Sequence, residues 1–235
     1  MSEWLGFGSD LPWWGWMFLV IGIVAFVSVV AALFFPDWAD DDYTVGFEAP
    51  PGSDQFVEWT STFLNVPIYD GGEVTLLQNG DRFFPAMLNA IGEAKDSVHF
   101  ETYIFSPDEI GRQFIDALKE RAQVGVEVRL LLDAFGAIGL KKRHRQELRS
   151  AGVSLSRFRP LALRNLARFY RRAHRRAIVI DGKLAFTGGA AVSRKWKGDV
   201  RTIHEWRDSM IQVSGQLVSG IYPHSPGIGC TARVK

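Results

Sequence analysis

Hydrophobic positions are distributed in two different ways along this chain. In the first, residues 11–35 form a run of 25 residues without a charge, which is longer than the about 20 apolar residues that cross a bilayer as a helix. Tryptophans flank this run on both sides, namely Trp13, Trp14, Trp16 and Trp38, as in the aromatic belts of membrane proteins. The pattern predicts an N-terminal tail over residues 1–10 and a transmembrane helix over residues 11–35.

A cleaved signal peptide is the main alternative for this run, but it would begin with basic residues, and residues 1–10 carry only Glu3 and Asp10. A buried helix is the other alternative, although 25 residues exceed the about 11–12 of a mean domain helix. The orientation of this helix in the membrane is weakly determined, because it is normally set by nearby Lys and Arg and none precedes Arg82. We expect a single-pass protein of the cell membrane with its basic part on the cytoplasmic side.

The second pattern begins at Val74, where short apolar runs alternate with amphipathic helical stretches. The strands are expected at residues 74–78, 98–105, 126–132, 153–157 and 177–180, and the helices at 82–94, 108–122 and 141–151. Strands separated by helices of this length favour a parallel arrangement covered by helices. The prediction is an α/β fold, with a mixed, mostly parallel sheet flanked by helices and preceded by one transmembrane helix.

Composition shifts set the remaining boundaries. Residues 36–73 are rich in Asp, Gly and Pro and predict an acidic linker, with room for a short amphipathic helix near residues 56–64. Residues 74–219 are expected to form the folded domain. The hydrophobic periodicity is lost over residues 220–235. This ending is interpreted as an irregular tail, of the kind that an out-of-frame product of a longer gene would carry.

Charge is strongly segregated in spite of a net charge of only +1. Residues 1–81 contain twelve acidic residues and no basic one, so residues 82–235 hold all 27 basic residues against 14 acidic ones. Thirteen Lys and Arg lie within residues 141–176 against one carboxylate, Glu147. This density predicts an anionic partner, either phospholipid head groups or nucleic acid, although a solvated face remains the simplest alternative.

The candidate chemistry lies in residues 172–189, where an apolar strand is followed by Asp181-Gly182, a pair that favours a hairpin turn. Because residues two apart share a strand face, His174 and Arg176 are expected to project together. An imidazole can attack phosphorus or transfer a proton, and a guanidinium suits phosphate oxygens. Asp181 is near enough in sequence to assist, although a turn Asp needs no such role.

This stretch resembles the signature of the phospholipase D superfamily, with His174 two residues before a basic position, Asp181 seven residues on, and the pair Gly188-Gly189 after a hairpin. Residues 100–105 with 108–114, and residues 206–209, resemble cardiolipin synthases. The likeness spans residues 74–218 and corresponds to the half that carries the first motif.

The resemblance implies a phosphatidyltransferase that acts on anionic phospholipids without metal or cofactor. In the family, one histidine forms a phosphohistidine and a second protonates the leaving alcohol. His174 is then the candidate nucleophile or acid, Arg176 the phosphate clamp and Asp181 the supporting carboxylate. The other candidate substrate or phosphate contacts are Arg172, Glu101, Gly188 and Gly189. The implied partners are a phosphatidylglycerol-like lipid and the membrane, and nucleic acid is disfavoured.

Three departures from the family pattern bear on activity. Arg176 stands where the family has Lys, Ala190-Ala191 follows the glycine pair where an Asn is common, and one motif is present instead of two. The chain is therefore expected to need a second copy or a missing second half. Two alternatives stay open, namely a single-motif homodimeric phosphodiesterase or nuclease, and a lipid-binding membrane protein without catalytic activity.

Other features of the sequence give weaker evidence about function. Asp133 ends a predicted strand at the sheet's carboxyl edge, where ligands bind in open α/β sheets, but it is interpreted first as a turn residue. The one cysteine, Cys230, excludes an internal disulfide and a thiolate metal cluster. No nucleotide-binding loop or His/Cys metal spacing occurs in the sequence, so no metal site or cofactor is predicted.

Overall fold

The structure is a computed structural model of the 235-residue chain. It describes residues 12–34, 49–65, 67–69, 72–160 and 172–221. The predicted N-terminal tail, most of the first half of the linker, and residues 222–235 of the predicted irregular tail lie outside the described residues. The chain divides into two compact units, Met1–Glu48 and Ala49–Lys235.

The first unit contains helix α1, Trp13–Phe34. Its residues Trp13–Ala32 are long and apolar enough to cross a membrane, judged by length and composition. The helix coincides with the predicted span. The apolar helix of a signal sequence has the same length and composition, so the retained transmembrane anchor stays a prediction.

The second unit is an α/β domain. Its helices are α2 (Asp54–Leu64), α3 (Gly80–Glu93), α4 (Glu109–Gln123), α5 (Lys142–Ser150) and α6 (Val218–Ile221). Its strands are β1 (Val74–Gln78), β2 (Ser97–Thr102), β3 (Glu127–Asp133), β4 (Ser154–Phe158), β5 (Ala177–Ile180), β6 (Leu184–Gly188) and β7 (Ser209–Ser214). The α/β class is confirmed, and α2 occupies the place in the linker where a short helix was allowed.

The seven strands form one mixed sheet in the order β1-β7-β6-β5-β2-β3-β4. Strands β2, β3 and β4 are parallel, whereas the other four pairings in the described sheet are antiparallel. The expectation of a mostly parallel sheet is therefore wrong. The reason is that β5 and β6 are joined by a tight turn, and no crossover helix separates β6 from β7, so these strands must reverse direction.

The register brings one end of each of the seven strands to the same end of the sheet. The C-terminal ends of β1, β2, β3, β4 and β6 lie there together with the first residues of β5 and β7, since Ala177 pairs with both Glu101 and Thr187, and Ser209 pairs with Gln78. We call this the site end. The β5–β6 turn lies at the opposite end.

Helices α3 and α4 cover one face of the sheet and bury the main core. Phe83, Phe114 and Phe186 are fully enclosed there. Asp108 begins α4 by accepting a hydrogen bond from the backbone N–H of Gly111 at 3.1 Å. The other face carries a smaller apolar cluster of Val179, Ala185, Val213 and Val218. Because Val218 begins α6, the ordered fold extends to Ile221, two residues into the segment predicted to be irregular.

The predicted β5–β6 hairpin is confirmed. Asp181 and Gly182 both have positive φ, 52° and 65°, which is the conformation that this type of turn requires. Ile180 then pairs with Leu184, and the hairpin continues to Ala177 opposite Thr187. The turn fixes the register of β5, and with it the position at which the preceding histidine leaves the sheet.

Candidate active site

His174 lies at the site end, three residues before β5, and its side chain is exposed. Its imidazole stacks on the ring of Tyr103, with the ring centroids 4.3 Å apart and the planes 25° from parallel. Tyr103 directly follows β2, the strand beside β5. The stack fixes one face of the imidazole and leaves the ring accessible to a reactant from solvent.

Arg176 is half-buried beside the start of β5. Its Nη1 donates to the carbonyl oxygen of His174 at 3.5 Å, and its Nε has no hydrogen-bond partner among the described residues. The side chain lines a small cavity of about 10 Å³ together with Thr102 and Ala191. Arg176 therefore adjoins the position where the family commonly has an asparagine, and its joint projection with His174 stays a prediction.

Arg172 and Asp133 form a buried charged pair beside His174. The guanidinium Nη1 of Arg172 lies 3.8 Å from Oδ1 of Asp133, and both side chains are almost fully buried. Asp133 Oδ1 also accepts hydrogen bonds from the backbone N–H groups of Phe135 and Gly136, at 2.8 and 3.1 Å. Its Oδ2 accepts from the backbone N–H of Ala173 at 3.2 Å. Asp133 thus closes a turn, as predicted, and in addition holds the residue next to His174.

Glu101 is buried in β2 with 3% of its surface exposed. It pairs with Ala177 at the start of β5, on the sheet face opposite Phe100 and the main core. His99 lies two residues earlier on the same face and pairs with Val179. Burial and the nearby charge of Arg129 lower the pKa of His99, which favours its neutral form. Glu101 is brought to the site end, and its contact with a substrate stays a prediction.

Gly188 and Gly189 lie at the site end, where β6 meets the start of β7. A side chain at Gly188 would come within 2.4 Å of the carbonyl oxygen of Ser209, and one at Gly189 within 2.3 Å of Oδ1 of Asp208. Oδ2 of Asp208 accepts from the indole N–H of Trp196 at 2.9 Å. Close packing thus accounts for the glycine pair without a substrate, and phosphate binding by it stays a prediction.

Asp181 is the predicted site residue that the fold does not bring to the others, because β5 runs away from the site end and Asp181 follows its last residue. Oδ1 of Asp181 accepts from the backbone N–H groups of Asp96 and Ser97, at 2.8 and 2.7 Å, and Oδ2 from that of Lys95 at 3.0 Å. Burial opposes ionisation, but these three hydrogen bonds outweigh it and lower the pKa of Asp181. Its observed role is to join the hairpin turn to the start of β2, which corrects the expected role of supporting carboxylate.

The basic stretch 141–176 is described except for residues 161–171. Several of its arginines donate hydrogen bonds to main-chain carbonyls. Arg149 Nη2 donates to Leu155 at 3.2 Å, Arg157 Nη2 to Ala134 at 3.4 Å, and Arg145 to Leu140. Burial and the positive charges of Arg145 and Arg149 lower the pKa of Arg157. These arginines stabilise the loops after β3 and beside β4 and also raise the local positive potential.

The structure thus places His174, Arg176, Arg172, Glu101, Gly188 and Gly189 at one end of the sheet. Sequence reasoning missed Tyr103 and undervalued Asp133. The available signal for Tyr103 was its place within residues 100–105, which resemble cardiolipin synthases, and the signal for Asp133 was its position at the carboxyl end of β3. Among the described residues, no cluster of three or more His, Cys, Asp or Glu could hold a metal ion.

Comparison with known proteins agrees with this arrangement. Residues 87–197 match the family described as cardiolipin synthase, PLD-like domain. The matched region runs from α3 through the segment after β6 and includes His174, Arg176 and the glycine pair. The α/β unit is therefore a phospholipase D-like domain, of the cardiolipin synthase-like group within the phospholipase D superfamily.

Individual relatives point the same way. Cardiolipin synthase 1 of Bacillus anthracis is 36% identical over 162 residues, which cover 68% of this chain and 32% of that protein. Cardiolipin synthase B of Salmonella typhimurium is 36% identical over 154 residues, covering 65% and 37%. The chain therefore spans about a third of the length of the curated relatives that it matches.

Two of the solved structures that match this chain have TM-scores just below 0.5. Nuc from Salmonella typhimurium, a phospholipase D family member, has a TM-score of 0.48 and 16% identity over 64% of this chain and 89% of that one. NucT from Helicobacter pylori has a TM-score of 0.49 and 16% identity over 64% and 91%. The family assignment rests on the sequence matches.

Proposed function

We propose that this chain transfers a phosphatidyl group between anionic phospholipids, with phosphatidylglycerol as donor and acceptor. The observation that carries the proposal is the exposed His174 ring, stacked on Tyr103 with the centroids 4.3 Å apart, while the guanidinium of Arg176 donates to the backbone carbonyl of the same residue at 3.5 Å. A nucleophile with one face supported and a cation beside it is what attack on a phosphodiester requires. The names of the matched relatives support the same lipid chemistry.

The reaction proceeds in two displacements at phosphorus. A ring nitrogen of His174 attacks the phosphodiester, so that an N–P bond forms and the P–O bond to the departing glycerol breaks. The glycerol oxygen takes a proton from a general acid. A hydroxyl of a second phosphatidylglycerol then attacks phosphorus and gives its proton to the conjugate base, which releases cardiolipin and free His174. Arg176 neutralises the phosphoryl oxygens in both steps.

The general acid of this reaction is not identified among the described residues. Asp181 lies at the opposite end of the sheet, and the sequence carries one histidine motif of this type. We propose that a second histidine comes either from another copy of the chain or from a second half encoded beyond it. Activity then depends on the assembly of two lobes with their site ends facing each other.

The lipid substrates place this chemistry at a membrane, and α1 supplies a segment of suitable length and composition. We propose that α1 is retained as a single-pass anchor with the α/β domain on the cytoplasmic side. Protease protection in spheroplasts tests the orientation, because external protease should leave a cytoplasmic domain intact until the membrane is opened.

The test of the chemistry uses the full chain in detergent with phosphatidylglycerol labelled in the phosphate. Incubation followed by rapid denaturation should trap label on the protein in an acid-labile, base-stable form, as expected of a phosphohistidine. The His174→Ala variant should retain no label. The matched control is His144→Gln on α5, whose ring nitrogen contacts Arg143 and which should label as the unaltered chain does.

The oligomeric state and the products are recorded in the same samples. Cardiolipin formed by a dimer, and lost in His174→Ala, supports a site completed between two copies. Trapped label without cardiolipin supports half an enzyme that lacks its acid. Binding of lipid with no label at any protein concentration contradicts the proposal and leaves the lipid-binding protein without catalysis. Cleavage of nucleic acid without lipid turnover would favour the nuclease.

A further inference from the structure

A segment of the domain that the reaction does not use lies at the site end, between β6 and β7. Residues 194–207 leave the sheet after Ser193 and return at Asp208. Their base is fixed, because the backbone N–H of Trp206 donates to the carbonyl of Lys195 at 2.7 Å and the carbonyl of Gly198 accepts from Asp81 at 3.2 Å. Trp196 is buried beneath them and packs edge-on against Trp206. We call residues 194–207 the β6–β7 segment.

The β6–β7 segment exposes apolar side chains. Ile203 is 93% exposed, Trp206 48% and Val200 40%. A buried indole supports Trp206 from below, so its exposure does not come from a loose chain. An almost fully exposed isoleucine beside a half-exposed tryptophan is typical of a surface that meets a partner or a membrane.

The β6–β7 segment is also rich in positive charge. The β6–β7 segment carries five basic residues, Arg194, Lys195, Lys197, Arg201 and Arg207, against the acidic Asp199 and Glu205. Lys197 and Arg201 share exposed ion pairs with Glu109 and Asp81, which contribute little because solvent screens them. Within the described part of the chain, no ion pair joins Arg194, Lys195 or Arg207 to a carboxylate. Lys195 instead lies over the Trp206 ring at 4.7 Å.

A polar cleft adjoins the segment. It has a volume of about 650 Å³ and is lined by basic and acidic side chains, namely Arg194, Lys195, Lys197, Arg201 and His204 with the carboxylates of Asp81, Glu109 and Glu205. Cations suit a phosphate group, and carboxylates accept hydrogen bonds from hydroxyls. The lining therefore suits a small phosphate-and-hydroxyl head group better than the continuous polyanion of a nucleic acid, which the carboxylates would repel.

We infer that the β6–β7 segment is a docking surface for an anionic phospholipid bilayer. Ile203 and Trp206 enter the interfacial layer, and Arg194, Lys195 and Arg207 contact the head groups. This surface is separate from the basic stretch 141–176. Because the segment lies at the same end of the sheet as His174, docking brings that end towards the lipid phosphates. The inference rests on the proposed function for the presence of a bilayer near the site.

The experiment uses the full chain in which Cys230→Ser and Thr202→Cys allow one environment-sensitive fluorophore to be attached beside an intact Ile203. The protein is reconstituted into vesicles of phosphatidylcholine alone or of phosphatidylcholine with phosphatidylglycerol, each with a trace of lipid spin-labelled near the head group. The matched control carries the label at Lys183→Cys, an exposed position at the opposite end of the sheet. Any retained membrane anchor is common to both proteins.

Docking should shift the emission at position 202 to the blue and quench it in vesicles that contain phosphatidylglycerol, with little change at position 183. Ile203→Ser should abolish the shift. Arg194→Gln should lower the docked-to-undocked ratio about fivefold, the usual effect of one basic residue near an anionic surface. Equal quenching at positions 202 and 183, equal quenching in both vesicle types, or a response to an oligonucleotide in place of lipid would overturn the inference.

Lipid turnover is measured separately in the same vesicles. Docking with neither turnover nor trapped label on His174 leaves this inference standing and counts against the proposed reaction. Turnover without docking would support the proposed reaction and contradict the docking surface. The two proposals can therefore fail separately.

Discussion

Asp133 and Ala173 are 40 residues apart in the sequence, yet the carboxylate of Asp133 accepts a hydrogen bond from the backbone N–H of Ala173 at 3.2 Å. Ala173 directly precedes His174, so this contact fixes the approach of the chain to the candidate nucleophile. The same carboxylate lies 3.8 Å from the buried guanidinium of Arg172. The loop after β3 and the segment before β5 therefore form one unit through a single side chain.

Removing this carboxylate should destabilise the domain. Asp133→Ala takes away three backbone hydrogen bonds and an anion that lies 3.8 Å from a buried guanidinium, for which an expected cost is about 3–5 kcal/mol. Urea unfolding in mild detergent measures the free energy of unfolding. The control is Glu127→Ala, which loses an exposed ion pair with Arg129 and should change stability by at most about 1 kcal/mol. Similar values for the two variants would contradict the role given to Asp133.

The stack of Tyr103 on His174 should depend on the aromatic ring of Tyr103 and not on its hydroxyl group. Tyr103→Phe keeps the aromatic face, whereas Tyr103→Leu removes it, and an aromatic pair contributes about 0.5–1.5 kcal/mol. We expect the ring-current shift of the His174 protons in NMR to persist in the Phe variant and vanish in the Leu variant. Phosphatidyl transfer should fall up to about tenfold in the Leu variant alone. Persistence of the shift in the Leu variant would exclude the stack.

Replacing Asp181 should lower the stability of the domain without changing the reaction at His174. Asp181→Ala leaves three backbone N–H groups of residues 95–97 without their acceptor, and we expect a loss of about 2–4 kcal/mol in the free energy of unfolding. The trapped label per folded molecule at His174 should stay unchanged, because Asp181 lies at the opposite end of the sheet. Loss of labelling in a variant that still folds would restore the catalytic assignment.

Gly189 should not tolerate a side chain. A Cβ there would lie 2.3 Å from Oδ1 of Asp208, so Gly189→Ala must displace Asp208 and its hydrogen bond to Trp196, at an expected cost of about 1–3 kcal/mol. The control is Gly92→Ala in α3, where nothing lies within 4 Å of the new Cβ and better helix propensity should stabilise by up to about 1 kcal/mol. Thermal unfolding measures the stability of both variants. Equal stability of the two would contradict the close packing of Gly189 against Asp208.

Stability below pH 5 should depend on Glu147. Hydrogen bonds from Arg112 and Lys119 lower the pKa of Glu147 from 4.5 to about 2. Because the unfolded chain then takes up the proton first, the stabilisation is complete above about pH 4.5 and is lost as the pH falls towards 2. The difference in unfolding free energy between the unaltered chain and Glu147→Gln should shrink over that range. Glu120→Gln, at an exposed carboxylate, should show no comparable trend.

Much of the fold could be predicted from the sequence, because the relevant signals are local. The apolar run of α1, the amphipathic faces of α3 and α4 and the Asp181-Gly182 turn each depend on residues within a few positions of one another. The motif around His174 is local in the same sense. Strand direction is not local, which is why the mostly parallel sheet was wrong: β7 pairs with β1 and β6, and no pattern within β7 records either partner.

The sequence by itself determined which residue types can do the chemistry, namely His174 with Arg176, and that a basic domain follows an apolar helix. Only the tertiary structure decided which residues share the site. It brings Tyr103 and Asp133 to His174 and removes Asp181 from it. The physical reason is that a strand of four residues separates its two ends by about 13 Å, so neighbours in sequence lie at opposite ends of the sheet while the ends of parallel and antiparallel strands meet across it.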